Sequence, residues 1–140
     1  MRALIIGGVG GMGQGVARDL IKQKQVEAVI LADLYPDPER LSTKLRENKK
    51  TSLIKMDVND HDLMVKAFKD VNVVINTAGP FYKTAVPVAK AAVEAKVNYI
   101  DICDDYEGTE ILFNSDIDYM AKKAGITVLT GMGSDPGTNN

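Results

Sequence analysis

Ala3-Leu4-Ile5-Ile6-Gly7-Gly8-Val9-Gly10-Gly11-Met12-Gly13 opens the chain, and its reading decides the fold. Four apolar residues form a short buried strand that runs straight into glycines. Helical spacing starts at once, with Met12, Val16 and Leu20 on one face. Gly8, Gly10 and Gly13 fit G-x-G-x-x-G between a strand and a helix. In that pattern the first glycine makes a tight turn and the second lets backbone approach a pyrophosphate. The third lets the helix pack closely on the strand. Free N–H groups at the helix start, aided by the helix dipole, meet the phosphates. Gly7, Gly11 and Gly13 fit a second register, G-x-x-x-G-x-G, which stays open. The expected contacts here are Gly8, Val9, Gly10, Gly11, Met12 and Gly13.

Working outward, the next strand, Val26 to Ala32, ends at Asp33, twenty residues beyond Gly13. A carboxylate there bonds the ribose hydroxyls of an adenosine. It also repels the extra phosphate of NADP, and the neighbouring Leu34 and Tyr35 bring no guanidinium to offset this. The expected cofactor is therefore NAD. Arg40 and Lys44 follow on the next helix, which keeps NADP possible. An ordinary strand-end carboxylate is the other reading of Asp33.

Apolar runs then alternate with amphipathic stretches. Pro36-Asp37-Pro38 opens a second helix with Leu41 and Leu45 as its stripe. Ser52 to Met56 is a third strand, and Asn59 or Asp60 caps a helix burying Leu63, Ala67 or Phe68. Val71 to Ile75 is a fourth strand. The following helix starts near Thr84, with Pro87 tolerated in its first turn and Val88, Ala89, Ala92 and Val93 on its face. Asn98 to Ile102 is a fifth strand. A helix with Ile117, Met120 and Ala121 ends at Ala124-Gly125, before a sixth strand from Ile126 to Leu129. Six strands alternating with helices predict an α/β, doubly wound Rossmann fold: a six-stranded parallel sheet with helices on both faces. The strands are almost wholly apolar, as double coverage requires.

Composition bounds the rest. The 140 residues are 45% hydrophobic and 26% charged, with a formal net charge of -2, which gives no general attraction to nucleic acid or anionic membrane. The single cysteine, Cys103, excludes a disulfide within the chain and favours a cytoplasmic home. No signal-peptide plan and no membrane-length apolar run is present. The stretch Gly133 to Asn140 reads as a loop leading onward. The expectation is one dinucleotide-binding domain over residues 1–140, with a substrate and dimerisation part missing after it.

Further candidates cluster at strand ends. Asp57 and Val58 follow strand three, where adenine commonly lies. Thr77, Ala78, Gly79 and Pro80 follow strand four, next to the switch point where ligands bind in such sheets. Phe81 and Tyr82 either border the nicotinamide or cap the loop onto the core. Asp101, Cys103, Asp104, Asp105 and Tyr106 cluster after strand five, and Asp104 and Tyr106 are the catalytic candidates there, for a carboxylate can orient a substrate amine or serve as acid or base. Helix capping by Asp104 or Asp105 is the alternative. Cys103 has no partner base, His61 is a solvated helix residue, and no Cys/His set suggests a metal.

Taken together, the glycine stretch, Ala32-Asp33, Asp57-Val58, Asn76-Thr77-Ala78-Gly79-Pro80-Phe81, Tyr99-Ile100-Asp101 and Gly131-Met132-Gly133-Ser134-Asp135-Pro136-Gly137 resemble the NAD(P)-binding domain of the saccharopine dehydrogenase family. The resemblance covers essentially the whole chain. It implies hydride transfer between a nicotinamide and the amine or imine carbon of an amino-acid-like small molecule, by a homodimer in its complete form. It implies that this chain alone is inactive, and raises nicotinamide-side roles for Pro80, Phe81 and Asp135. Two other readings stand beside it. Asn76-Thr77-Ala78-Gly79 and the Tyr119/Lys123 spacing are similar to short-chain dehydrogenases that reduce carbonyls, as is the second glycine register. A Rossmann domain can also act as a non-catalytic NAD(H) sensor.

Overall fold

The computed structural model describes residues 1–134, 137 and 138. Among them, six strands form one parallel sheet in the order β3-β2-β1-β4-β5-β6. The strands are β1 (Arg2–Ile6), β2 (Ala28–Asp33), β3 (Thr51–Lys55), β4 (Val73–Asn76), β5 (Asn98–Asp101) and β6 (Val128–Leu129). This is the doubly wound order, with chain direction across the sheet reversing between β1 and β4. Ile6 pairs with Ala32 and with Asn76, and Asn76 with Asp101. These four residues lie in one row, at the end of β1, β4 and β5 and one residue before the end of β2, so the loops that follow leave from the same edge.

Alternation along β1 explains the two cores. Leu4 and Ile6 face a cluster with Met64, Phe68, Val74, Val88 and Tyr99, under α3 (His61–Phe68), α4 (Phe81–Ala95), α5 (Tyr106–Phe113) and α6 (Ile117–Ala124). Ile5 faces the other cluster with Val9, Ala17, Leu31 and Leu45, under α1 (Gly11–Leu20) and α2 (Thr43–Arg46). Both faces are covered, which is why the strands carry so few polar residues. Among the described residues no helix is long and apolar enough to cross a membrane.

Several local expectations are corrected. On α1 the buried positions are Gly13 and Ala17, while Met12 is 59% exposed. The close seating of Gly13 turns the helix so that Met12 points outward. On α3, Leu63 is exposed and Met64, Val65 and Phe68 are buried, with the Asp60 side chain accepting from the Leu63 N–H. The segment after Pro36 makes one 3-10 turn (Pro38–Arg40), capped by the Asp37 side chain, and extended backbone at Leu41 separates it from the short α2. Helix α4 begins at Phe81, not near Thr84, and Pro87 lies inside it. The missing N–H and ring of an interior proline cost about 3 kcal/mol. Burial of Ala85, Val88, Ala89, Ala91, Ala92 and Val93 on one helix offsets that cost.

Helix α5 was not foreseen from periodicity. Asp105 caps it through the Glu107 N–H, and Gly108 sits in its middle. A side chain at Gly108 would come within 3.0 Å of the Phe81 and Tyr82 backbone and 3.1 Å of the Cys103 sulfur. Glycine there weakens the helical signal but lets α5 approach the start of α4. Phe81 is accordingly 8% exposed and belongs to the core, which selects the capping alternative for this residue.

Candidate functional site

The glycine turn is built on the end of β1. Gly7 and Gly8 N–H groups both donate to the Ala32 carbonyl, at 2.9 and 3.1 Å. Gly7 has φ +75°, a conformation that disfavours any side chain, and a Cβ there would lie 3.0–3.1 Å from Ala78. The Gly10 N–H closes the turn onto the Gly7 carbonyl at 3.0 Å, and α1 starts at Gly11. A Cβ on Gly13 would collide with the Gly7 carbonyl oxygen and lie 2.8 Å from the Gly8 Cα. The working spacing is therefore Gly7-x-x-Gly10-x-x-Gly13. This corrects both registers: the turn glycine is Gly7, while Gly8 serves packing, its Cβ position being 2.7 Å from that of Leu31.

A cleft of about 370 Å³ runs along this edge of the sheet. Its floor is Ile6 at the end of β1 with Gly7 and Gly10 of the glycine turn, and Thr77, Ala78 and Gly79 of the loop after β4 across the switch point. Its far end is Asp33, Leu34, Arg40, Met56, Asp57, Val58 and Asn59. Of the expected contacts, Gly10, Asp33, Leu34, Asp57, Val58, Thr77, Ala78 and Gly79 line it. Gly8, Val9 and Gly13 lie behind the turn and are buried, while Gly11 and Met12 are exposed on the first turn of α1. Gly7, Arg40 and Asn59 line it as well. Gly7 was available to sequence reading in the second register, and Arg40 as a neighbour of Asp33.

Hydrogen bonds shape each wall. Asp33 accepts from the Val9 N–H at Oδ2 and from the Tyr35 N–H at Oδ1, both at 3.2 Å. Asp57 Oδ1 accepts from the Asn59 backbone and side-chain amides at 2.9 and 2.8 Å, folding that loop back beside Val58. Thr77 Oγ1 donates to the Ile6 carbonyl at 2.8 Å, which pins the β4 loop to β1.

Behind that loop lies a buried polar chain. Asn76 Oδ1 accepts from the Ala78 N–H at 3.1 Å, and Asn76 Nδ2 donates to the Tyr99 hydroxyl at 3.3 Å. Tyr99 donates to Asp101 Oδ2 at 2.8 Å. Asp101 Oδ1 accepts from Cys103 N, Thr130 Oγ1 and Gly131 N at 3.1, 2.9 and 2.9 Å. Both residues are almost fully buried. Burial, then the Asp101 charge, raises the Tyr99 pKa well above its ordinary value, so Tyr99 remains a donor.

The catalytic candidates sit elsewhere. Asp104 is exposed, and Tyr106 is 77% exposed at the start of α5. Neither lines the cleft. Asp135 lies outside the described residues. Pro80 is exposed at the N-cap of α4, and Tyr82 is part-exposed, its N–H donating to Asp105 Oδ2 at 3.3 Å. Tyr119 is 68% exposed on α6, and neither it nor Lys123 lines the cleft. Among the described residues no group of three or more His, Cys, Asp or Glu is placed to hold a metal. A second, more apolar groove of about 440 Å³ lies between α5, α6 and β6. It is larger, but it lacks the glycine turn and the convergent strand ends, so the edge cleft is the candidate site.

A glycine turn opening a helix, a carboxylate ending β2 and a cleft at the switch point define a nicotinamide dinucleotide-binding Rossmann domain. A family model described as the saccharopine dehydrogenase NADP binding domain matches residues 3–129, and the chain belongs to that family. Apo saccharopine dehydrogenase (L-Glu forming) from Saccharomyces cerevisiae superposes with a TM-score of 0.76 at 24% identity, over 99% of this chain and 28% of that one. A short chain dehydrogenase from Burkholderia cenocepacia J2315, in complex with NADP, has a TM-score of 0.66 at 13% identity over 92% of this chain and 70% of that one. A dTDP-glucose 4,6-dehydratase, DesIV from Streptomyces venezuelae, with NAD and TYD bound, has a TM-score of 0.62 at 20% identity over 71% of this chain and 38% of that one. These likenesses show the fold. The 3 beta-hydroxysteroid dehydrogenase/Delta 5-->4-isomerase of Vaccinia virus (strain Western Reserve) is 31% identical over 74 residues, 53% of this chain. The match spans 20% of the viral protein's length.

Proposed function

We propose that this chain is the cofactor half of an oxidoreductase that moves hydride between a nicotinamide and the amine or imine carbon of an amino-acid-like substrate. The observation that carries the cofactor half is the convergence of the Gly7–Gly13 turn, Asp33 and the Thr77–Gly79 loop on one sheet edge. The fit is steric as well as chemical. A Cβ on Gly79 would meet no atom within 4 Å, so backbone alone borders that part of the cleft. When bound, the nicotinamide supplies or takes the hydride. Gly10 and the first turn of α1 hold the pyrophosphate, with the N–H groups of Gly11, Met12 and Gly13 unused by backbone partners. Asp33 accepts from ribose hydroxyls, and Asp57 with Val58 borders the adenine. Thr77, Ala78, Gly79 and Pro80 border the nicotinamide side. Asp104 and Tyr106 stand away from the cleft, so proton handling falls to a substrate-binding part that also forms a dimer.

NAD is preferred on this reading. The Asp33 carboxylate, in the cleft where this reading puts the ribose, would repel the additional phosphate, and a like-charge contact at about 4 Å costs about 1–4 kcal/mol between water and protein-surface dielectric. Calorimetric titration tests both statements. NADH is expected to bind more tightly than NADPH. The reverse order overturns the role of Asp33, and absence of binding by either overturns the site. The substrate class is tested by nicotinamide oxidation with keto acids and amines in the complete protein. Cofactor binding without turnover of any amine, imine or keto acid supports the sensor reading instead.

A further inference from the structure

We infer that Gln14 is a positioning residue for cofactor discrimination, fixing the Arg40 turn across the ribose end of the cleft. This rests on the reading that the adenosine ribose lies at Asp33. Gln14 is the fourth residue of α1, and its side-chain amide joins three backbone groups. Its Nε2 donates to the Val9 carbonyl and to the Arg40 carbonyl, each at 2.9 Å. Its Oε1 accepts from the Ser42 N–H at 2.9 Å. Both N–H groups and the carbonyl of the amide are used, so the side chain has one geometry. Val9 is in turn bonded through its N–H to Asp33 Oδ2. Glycine turn, ribose carboxylate and Arg40 turn form one connected frame, with Gln14 as its brace.

Other contacts hold that turn as well. Leu41 and Leu45 are buried in the core with Val9 and Ala17. Arg46 pairs with Glu39 at 2.8 Å, and Asp37 Oδ1 accepts from the Glu39 N–H. The Arg40 side chain itself is left free. It is exposed, lines the cleft with Asp33 and Leu34, and forms no ion pair among the described residues. Arg40 and Asp33 have opposite preferences at the ribose. A guanidinium gains from a phosphate, and a carboxylate gains from hydroxyls. The balance depends on where the backbone of Arg40 stands, and Gln14 sets that from one side.

The test compares NADH and NADPH dissociation constants, read by nicotinamide fluorescence, for the wild-type chain, Gln14→Ala, Gln14→Glu, Arg40→Ala and Gln14→Ala/Arg40→Ala. Unfolding midpoints are recorded for each. A charge-assisted contact to phosphate is at stake, so Gln14→Ala is expected to weaken NADPH about fivefold or more and NADH less than about twofold. Gln14→Glu keeps the acceptor for Ser42 but turns an oxygen toward the Val9 and Arg40 carbonyls, so it shifts the ratio the same way. In the Arg40→Ala background Gln14→Ala leaves the NADPH-to-NADH ratio unchanged. A brace with only a structural role would weaken both cofactors alike as the midpoint falls, and that result overturns the proposal. If Arg40→Ala lowers NADPH selectively but neither Gln14 variant moves the ratio, the proposal fails while the ribose reading survives. If Arg40→Ala leaves both cofactors untouched, the proposal fails; the ribose reading falls only if Asp33→Ala also leaves both dissociation constants unchanged.

Discussion

Two glycines in α1, two residues apart, are expected to respond to alanine with opposite signs. Replacing a helical glycine by alanine normally stabilises by about 1 kcal/mol, through reduced freedom of the unfolded chain and better helix propensity. At Gly15 nothing opposes this, because the nearest atom to the new methyl is the tip of Arg18 at 3.9 Å, which is free to move. Gly15→Ala should therefore raise stability by about 0.5–1 kcal/mol. At Gly13 the methyl collides with the Gly7 carbonyl, 2.8 Å from the Gly8 Cα and 3.0 Å from the Gly7 carbonyl carbon. All three are backbone atoms, and the Gly7 amide is itself fixed to Ala32 at 2.9 Å. Either the helix lifts off the turn or the turn leaves the strand. Such overpacking costs about 1–3 kcal/mol or more, so the helix gain is outweighed and Gly13→Ala should lose about 1–2 kcal/mol net. Urea unfolding followed by circular dichroism measures both, compared at constant m. Gly13→Ala as stable as Gly15→Ala would refute the steric reading of the turn.

Three further outcomes are expected. Asp101→Asn turns one acceptor oxygen into an N–H facing the Tyr99 hydroxyl, which Asn76 already approaches as a donor; the orphaned proton and weakened contacts should cost about 2–4 kcal/mol in urea unfolding, and a loss under about 0.5 kcal/mol would contradict Asp101 as the acceptor hub of this chain. The folded state keeps the Tyr99 proton at pH values where the unfolded chain has released it, so its contribution is intact below the ordinary value of 10.0 and declines as pH rises beyond it; Tyr99→Phe should flatten that decline, read as unfolding midpoints from pH 8 to 11 at about one-unit steps. Gly10→Leu should abolish cofactor binding in calorimetry with a midpoint loss under about 2 kcal/mol, since its Cβ meets only the Gly7 carbonyl, at 3.2 Å; retained binding would displace the pyrophosphate from this turn.

Strand order and the two-faced core were legible because four strands are nearly pure apolar runs, and glycines punctuate the first of them. The cleft was legible where a residue's chemistry and its strand-end position coincide, as for Asp33, Asp57 and Thr77. Position within a turn was not. Five glycines in seven positions satisfy several spacings, and only the positive φ at Gly7 separates them. Helix α5 was hidden because Gly108 interrupts its apolar pattern for the sake of a close approach to α4. The helical placement of Pro87 depends on burial along the whole of α4, a tertiary quantity that no local rule contains. The role of Gln14 carries no local signal, because its three partners are 5, 26 and 28 residues away.

The two-residue strand β6 looks like a dispensable margin of the sheet, yet the residues that follow it hydrogen-bond a carboxyl group buried in the interior. Thr130 and Gly131 supply two of the three donors on Asp101 Oδ1. Anyone choosing a junction for a fusion, a split reporter or a transplanted cofactor domain must carry the chain past Gly131. A cut after Leu129 removes no apolar core, but it leaves Asp101 Oδ1 with the Cys103 N–H alone.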